Sequence, residues 1–131
     1  QKREFDFAMD KGFPSYMTDE ISFLENNKQV VFLQNDAGII DDYIQYEVTA
    51  AHCPFHQAFW IQEDNDILFF GGDDAPQLQQ MKSRFIAKYD YDGKKCMELR
   101  QHWWKEGKDK RWTFLFYHDV KTPFFRQKTD I

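Results

Sequence analysis

The pentapeptide HCPFH at positions 52–56 brings together side chains that could bind a metal ion. Two histidines stand four residues apart with a cysteine between them. Imidazole and thiolate are ligands that zinc and copper accept. Since metal sites usually use three or four protein ligands, a further one would come from elsewhere, such as His102, His118 or an aspartate.

The alternative for His52, Cys53 and His56 is a loop with solvated histidines and a buried cysteine. The sequence favours this alternative, because the paired ligand couples of structural zinc sites are absent. We therefore predict no metal and no cofactor, with these three residues as the candidate ligands if a metal is bound.

A second candidate site is formed by Glu98, Arg100 and His102, spaced two residues apart. The stretch from 84 to 120 is predicted to form a three-stranded antiparallel meander, with strands 84–91, 94–104 and 111–120. Asp92-Gly93 would be its first turn, because Asp-Gly between alternating runs is a strong hairpin signal.

The register of that meander sorts its side chains onto two faces. One is predicted to be the core face, with Ile86, Met97, Leu99, Trp103, Trp112, Phe114 and Phe116. On the other, His102 could act as a general acid or base, Glu98 could orient it, and Arg100 could hold an anion. The predicted ligand-binding residues are Tyr89, Tyr91, Glu98, Arg100, His102, Trp104 and Tyr117.

The alternative for this polar face is a solvated outer surface, which is the usual state of one side of an antiparallel sheet. Trp103 and Trp104 are neighbours, so in a strand they point to opposite faces. One of them would therefore lie at the rim of a pocket or in a protein interface.

Three acidic spots, Asp41-Asp42, residues 63–66 and Asp73-Asp74, fall in predicted turns. Calcium is conceivable, but the spacing of an EF-hand loop is missing. Asp73-Asp74-Ala75-Pro76 also has the pattern of a helix start, and a short helix is predicted from 76 to 82. Solvated turns are the favoured explanation of the acidic residues.

The rest of the chain is read mainly as strands. Alternation predicts strands at 2–9 and 39–49, and a hairpin of 57–62 with 66–71. For 15–27 we prefer a short helix capped by Ser15, followed by a buried strand at 29–34; a strand at 20–25 is the alternative. Residues 121–131 are predicted to be a polar tail.

The fold class that follows is α+β, predominantly antiparallel β, in one globular domain over residues 1–131. A strongly bent sheet or barrel is expected, lipocalin-like or cone-like, with one or two short helices. An aromatic fraction of 18% suits such a core or a ligand pocket.

The composition also limits the partners. A net charge of −5 argues against binding to nucleic acid, which rests on clustered lysine and arginine. No run approaches the roughly 20 apolar residues needed to span a bilayer, so no membrane partner is expected. We expect a soluble protein, with the cytoplasm slightly favoured over secretion and two free thiols, Cys53 and Cys96, favoured over one bridge.

Two functions remain. The favoured one is a non-catalytic protein that holds a protein partner on an acidic, aromatic-rich sheet surface, as an inhibitor or toxin-neutralising protein would. The second is a barrel or cone that binds a small apolar or aromatic ligand beside Glu98, Arg100 and His102, and that could be an acid/base enzyme.

Overall fold

The computed structural model describes residues 1–11 and 16–128. The chain divides into two compact units, Gln1–Asn35 and Asp36–Ile131. The predicted cap at Ser15 lies outside the described residues. That the chain forms a single domain stays a prediction.

The first unit contains α1 (Lys2–Lys11), α2 (Thr18–Ile21) and a 3₁₀ turn (Ser22–Leu24). The predicted strand at 2–9 is therefore wrong. Phe5 and Ala8 are both buried and stand three residues apart, which places them on one helical face. The predicted strand at 29–34 is irregular chain, and the ring of Phe32 there packs 5.1 Å from that of Phe5.

The second unit is built on one mixed sheet of six strands in the order β1-β2-β3-β4-β5-β6. The β4–β5 pair is parallel and the other four pairs are antiparallel. The strands are β1 (Ala37–Ile40), β2 (Ile44–Val48), β3 (Gln57–Glu63), β4 (Asp66–Phe70), β5 (Thr113–Leu115) and β6 (Phe124–Arg126).

The predicted barrel or cone, lipocalin-like or otherwise, is wrong. The sheet is open, with β1 and β6 as its two edges. The prediction assumed hairpins throughout, whereas the chain crosses from β4 to its parallel neighbour β5. Parallel neighbours cannot be joined by a tight turn and need a crossover connection, usually a helix.

That crossover contains α4 (Gly93–Asp109), where a strand was predicted. Asp92 does not form a hairpin turn; its carboxylate caps the helix by accepting from the backbone N–H of Lys95 at 3.0 Å. The meander prediction is therefore wrong, and of its third strand the structure forms the short β5. The polar tail was also wrong, since it contains β6.

The core lies between α4 and one face of the sheet. Strand register places Trp60, Phe69, Phe114 and Phe125 side by side across four strands. Trp103 of α4 packs on them, with its ring centroid 4.8 Å from that of Phe69. The buried members of this cluster are Ala58, Phe69, Ala75, Met81, Trp103, Trp112, Phe114 and Phe116.

Two local predictions are confirmed. The hairpin of β3 and β4 pairs Trp60 with Phe69. The short helix after Pro76 is α3 (Leu78–Met81). Among the residues that the structure describes, no helix combines the length and the apolar character needed to cross a bilayer.

Candidate functional site

Three strands of the sheet have their carboxyl ends on the same side, which we call the polar edge. Strand β3 is antiparallel to both β2 and β4, so β2 and β4 run in one direction, and β5 is parallel to β4. The loops that follow these three strands carry His52, Asp73 and His118. Open sheets commonly bind ligands beyond the carboxyl ends of their strands. This edge therefore positions three polar side chains without any long insertion.

Asp73 is the meeting point of these loops. Its Oδ2 lies 3.5 Å from His52 Nε2, and its Oδ1 lies 3.2 Å from His118 Nε2. The Tyr117 hydroxyl donates to the same Oδ1. Burial and this contact with Asp73 raise the pKa of Tyr117 well above its usual range, so the phenol stays protonated.

His52 is held from its other side by Asp90. Its Nδ1 is 2.7 Å from Asp90 Oδ1, and the Asp90 side chain is almost fully buried. Hydrogen bonds with the Cys53 side chain and with Asp90 raise the pKa of His52 to about 9, although burial acts against them. The ring is thereby oriented with Nε2 towards Asp73.

Backbone hydrogen bonds tie the His52 loop to the loop that carries Asp90. The N–H of Tyr91 donates to the His52 carbonyl at 3.0 Å, and the N–H of Asp92 donates to the Ala51 carbonyl at 2.8 Å. Because Asp92 also caps α4, the position of His52 is connected to the start of that helix.

The His118 loop is anchored by hydrogen bonds to the segment around α3. Gln77 Nε2 donates to the His118 carbonyl at 3.1 Å, and the Asp119 carboxylate accepts from the N–H groups of Leu78 and Thr122. These backbone donors lower the pKa of Asp119.

Asp74, the residue after Asp73, is fully buried beneath the edge. Its carboxylate accepts from the Thr49 hydroxyl and from the backbone N–H of His52, and it lies 3.0 Å from His56 Nδ1. Burial acts to raise the pKa of Asp74, but the hydrogen bonds from His56, Thr49 and His52 outweigh it and lower the pKa.

Two buried side chains of α4 complete this cluster. The Cys96 thiol is 3.6 Å from Asp74 Oδ1, and burial together with nearby carboxylates raises the pKa of Cys96 far above its usual range. Arg100 donates to the backbone carbonyls of Asp74 and Phe85. The guanidinium thus ties α4 to the turn that carries the two aspartates.

A surface cleft of about 400 Å³ opens above Asp73. Its lining combines the polar edge with residues from the start of α3 and from the loop before α4. The lining residues are His52, Asp73, Pro76, Gln77, Gln80, Tyr89 and His118.

The candidate face of Glu98, Arg100 and His102 is not formed, because these residues lie on a helix. Arg100 is buried, whereas Glu98 lies 3.8 Å from Lys94 and His102 lies 3.2 Å from Glu106 at the surface. The structure does not bring the three together.

The predicted aromatic ligand contacts are divided between regions. Tyr89 lines the cleft and Tyr117 touches Asp73. Tyr91 is exposed, and Trp104 stacks on Phe125 with ring centroids 5.9 Å apart. That any of the predicted residues contacts a ligand stays a prediction.

The three candidate metal ligands of the pentapeptide lie near one another, with the His52 and His56 rings 5.8 Å apart, but they face different surroundings. His52 faces the cleft, Cys53 is buried, and His56 is buried against Asp74. Over residues 1–11 and 16–128, no group of three or more histidine, cysteine, aspartate or glutamate side chains is arranged to hold a metal ion.

Sequence reasoning named His118 as a possible distant ligand but did not single out Asp73, which contacts both His52 and His118. It interpreted Asp73-Asp74 as a helix start or a solvated turn. Their position in the sequence was the signal that could have identified these aspartates. Asp73 and Asp74 directly follow the glycine pair that ends β4, a strand that was predicted correctly.

Searches with family models and against curated proteins give no match. Solved structures do match. A probable metal-dependent hydrolase from Staphylococcus aureus aligns with a TM-score of 0.70 at 18% identity, covering 76% of this chain and 36% of its own. An N-acyl homoserine lactone hydrolase, with product bound at its catalytic metal centre, aligns at 0.70 and 16% identity, covering 90% and 45%.

The dizinc quorum-quenching lactonase AidC aligns with a TM-score of 0.67 at 14% identity, covering 97% of this chain and 49% of its own. The present chain therefore spans less than half the length of each of these proteins. The similarity shows that the chain shares a fold with these proteins.

This comparison corrects the functional prediction. The solved structures that share the fold are those of a probable metal-dependent hydrolase, a lactone hydrolase with a catalytic metal centre and a dizinc lactonase, not of inhibitors or other binding proteins. The prediction of a non-catalytic inhibitor or toxin-neutralising protein is wrong. The barrel or cone with a pocket at Glu98, Arg100 and His102 is wrong as well, because neither the barrel nor that face exists.

Proposed function

We propose that this chain supplies part of the metal centre of a metal-dependent hydrolase, with His52, Asp73 and His118 as ligands. The observation that carries the proposal is the placement of one imidazole nitrogen opposite each oxygen of the Asp73 carboxylate. Imidazole nitrogen and carboxylate oxygen are ligand types that zinc binds.

Each histidine–carboxylate distance suits a pair of ligands on one ion. With metal–ligand bonds of about 2.0–2.1 Å, two donors at a tetrahedral angle stand about 3.3 Å apart. The two histidine–carboxylate separations are 3.5 and 3.2 Å. Each separation involves a different oxygen of the Asp73 carboxylate.

The surroundings of His52 also suit a ligand. Metal-bound histidines usually donate their second N–H to a carboxylate or carbonyl, and Asp90 accepts here from Nδ1. Further donors must complete the shell, from water, substrate or protein groups beyond the described set.

A bound zinc ion would supply an activated water and polarise a carbonyl. The residues of the chain would hold that centre: Asp73 between the two imidazoles, and Tyr117 as a hydrogen-bond donor to Asp73. The cleft above them would admit a small molecule, and the lactone substrates of two neighbours suggest a lactone or ester.

Zinc titration of the metal-free chain by calorimetry tests this proposal. His52→Ala and Asp73→Asn should weaken zinc binding at least about tenfold, since each removes a ligand. His102→Ala is the matched control, because His102 also lies beside a carboxylate, Glu106, but on the exposed side of α4. It should leave the affinity within about twofold.

Hydrolysis of N-hexanoyl homoserine lactone by the zinc-loaded chain is the second readout. Turnover should be abolished by EDTA and by Asp73→Asn. Equal zinc affinity in the wild type and in both ligand variants would overturn the metal centre. Zinc binding at Asp73 without lactone turnover would overturn the lactone class.

A further inference from the structure

His56 connects the buried cluster to the candidate metal centre. Its side chain is about nine-tenths buried, and both ring nitrogens have polar partners, with the Thr49 hydroxyl 3.4 Å from Nδ1. Nδ1 lies 3.0 Å from Asp74 Oδ2, and Nε2 accepts the backbone N–H of Asp73 at 3.0 Å. One imidazole therefore spans two consecutive residues.

These contacts define the form of the ring. Nε2 cannot carry a hydrogen, because it would then face the Asp73 N–H donor to donor. Nδ1 must carry the hydrogen and donate it to Asp74. The two contacts thereby fix the orientation of the His56 ring.

The turn that carries these two contacts has little conformational freedom at the residue before Asp73. Gly72 has φ +55°, a conformation that side chains rarely adopt, and a Cβ there would lie 2.7 Å from His56 Cε1. The ring thus packs directly against the Gly72 backbone. The His56 carbonyl is itself fixed by the N–H of Thr49 at 2.7 Å.

We propose that His56 is a positioning residue for Asp73. Its ring is fixed by the buried Asp74 carboxylate and accepts a hydrogen bond from the Asp73 backbone N–H. It thereby holds the Asp73 side chain between His52 and His118. In its effect on metal binding, this inference rests on the proposed metal centre. Its effect on the Asp73 backbone does not.

Two substitutions separate the two nitrogens of His56. The side-chain amide of His56→Asn can replace the Nδ1 donor to Asp74 but cannot reach Asp73. The longer His56→Gln can place an amide oxygen where Nε2 accepts the Asp73 N–H, and it gives up the donor to Asp74.

We expect His56→Asn to weaken zinc binding by about 10- to 100-fold, the range seen for residues that orient metal ligands. His56→Gln should keep the zinc affinity within about threefold. Urea denaturation should nevertheless show a larger loss of stability for His56→Gln than for His56→Asn, because only the glutamine variant loses the donor to Asp74. If His56 were only structural, zinc affinity would follow stability in both variants, and the proposal would be overturned.

Amide hydrogen exchange of the metal-free chain, followed by NMR, provides a test without zinc. The Asp73 N–H should exchange at least about tenfold faster in His56→Asn than in the wild type and in His56→Gln. Unchanged exchange in His56→Asn would overturn the positioning role. A wild type that binds no zinc would instead overturn the metal centre, while the exchange rates still decide the role of His56.

Discussion

Asp73 and Asp74 are neighbours in the chain but stand in opposite environments. The Asp73 side chain is 34% exposed and faces two histidines and a tyrosine in the cleft. Asp74 is fully buried and receives hydrogen bonds from strand-end loops and from α4. The Asp73 carboxylate is accessible to a ligand, whereas the hydrogen-bond acceptor sites of the Asp74 carboxylate are occupied by groups of the protein.

This difference shows how the fold can build a reactive edge from ordinary loops. A carboxylate that binds an incoming ion must keep oxygen lone pairs free of hydrogen bonds from the protein. Its own side chain therefore contributes little to fixing the loop that carries it. The adjacent buried carboxylate provides the missing rigidity, because its partners belong to the connection between β2 and β3 and to helix α4.

The largest effect on stability should come from replacing the buried aspartate, Asp74, with alanine. Asp74→Ala removes the carboxylate that accepts from the buried donors of His52 and His56, and each donor left unsatisfied costs about 1–3 kcal/mol. We expect a loss of about 3–5 kcal/mol in the free energy of unfolding, measured by urea denaturation without metal.

Asp73→Ala is the matched control for that measurement. It removes the partly exposed ion pairs of Asp73 with His52 and His118. Such pairs contribute about 0–1 kcal/mol to the free energy of unfolding. Equal destabilisation by the two substitutions would remove the distinction between a ligand carboxylate and a structural one.

A smaller effect is expected from pH. The raised pKa of His52, about 9, means that zinc must displace a proton from its ring at neutral pH. Zinc affinity should therefore rise by up to about tenfold per pH unit between about pH 7 and pH 9, and then level off.

The metal-free chain should show the opposite sign. Stability from protonated His52 is fully present below its unfolded pKa of about 6.5 and is lost as the pH rises through about 9. Calorimetry and urea midpoints across this range check both trends. A zinc affinity that does not change with pH would contradict a role for His52 as ligand.

Part of the fold could be predicted from the sequence. The β3–β4 hairpin was predictable because polar residues separate two apolar runs in strict alternation. Helix α4 was misread because Leu99 and Trp103 stand four apart, a spacing that serves one face of a strand and one face of a helix alike.

A stronger helix signal was nevertheless present in that segment. From Gly93 to Asp109 the chain contains no valine, isoleucine or threonine, the β-branched residues that favour strands. Asp92-Gly93 matched a hairpin turn, but aspartate is equally a preferred N-cap. The predicted core was largely right because Trp103, Trp112, Phe114 and Phe116 are buried in the structure.

The site was less accessible to sequence reasoning. His52 could be singled out by its neighbours Cys53 and His56, yet His56 turned towards the buried Asp74. The meeting of His52, Asp73 and His118 depends on β2, β4 and β5 running in one direction. That relation follows from long-range strand pairing, which local periodicity does not determine.

Diffraction at the zinc absorption edge, from crystals of the chain grown with zinc, tests the central claim most directly. We predict an anomalous peak about 2.0–2.2 Å from Nε2 of His52 or His118 and from an Asp73 carboxylate oxygen. Zinc density elsewhere on the chain, with the Asp73 carboxylate free of metal, would contradict the account.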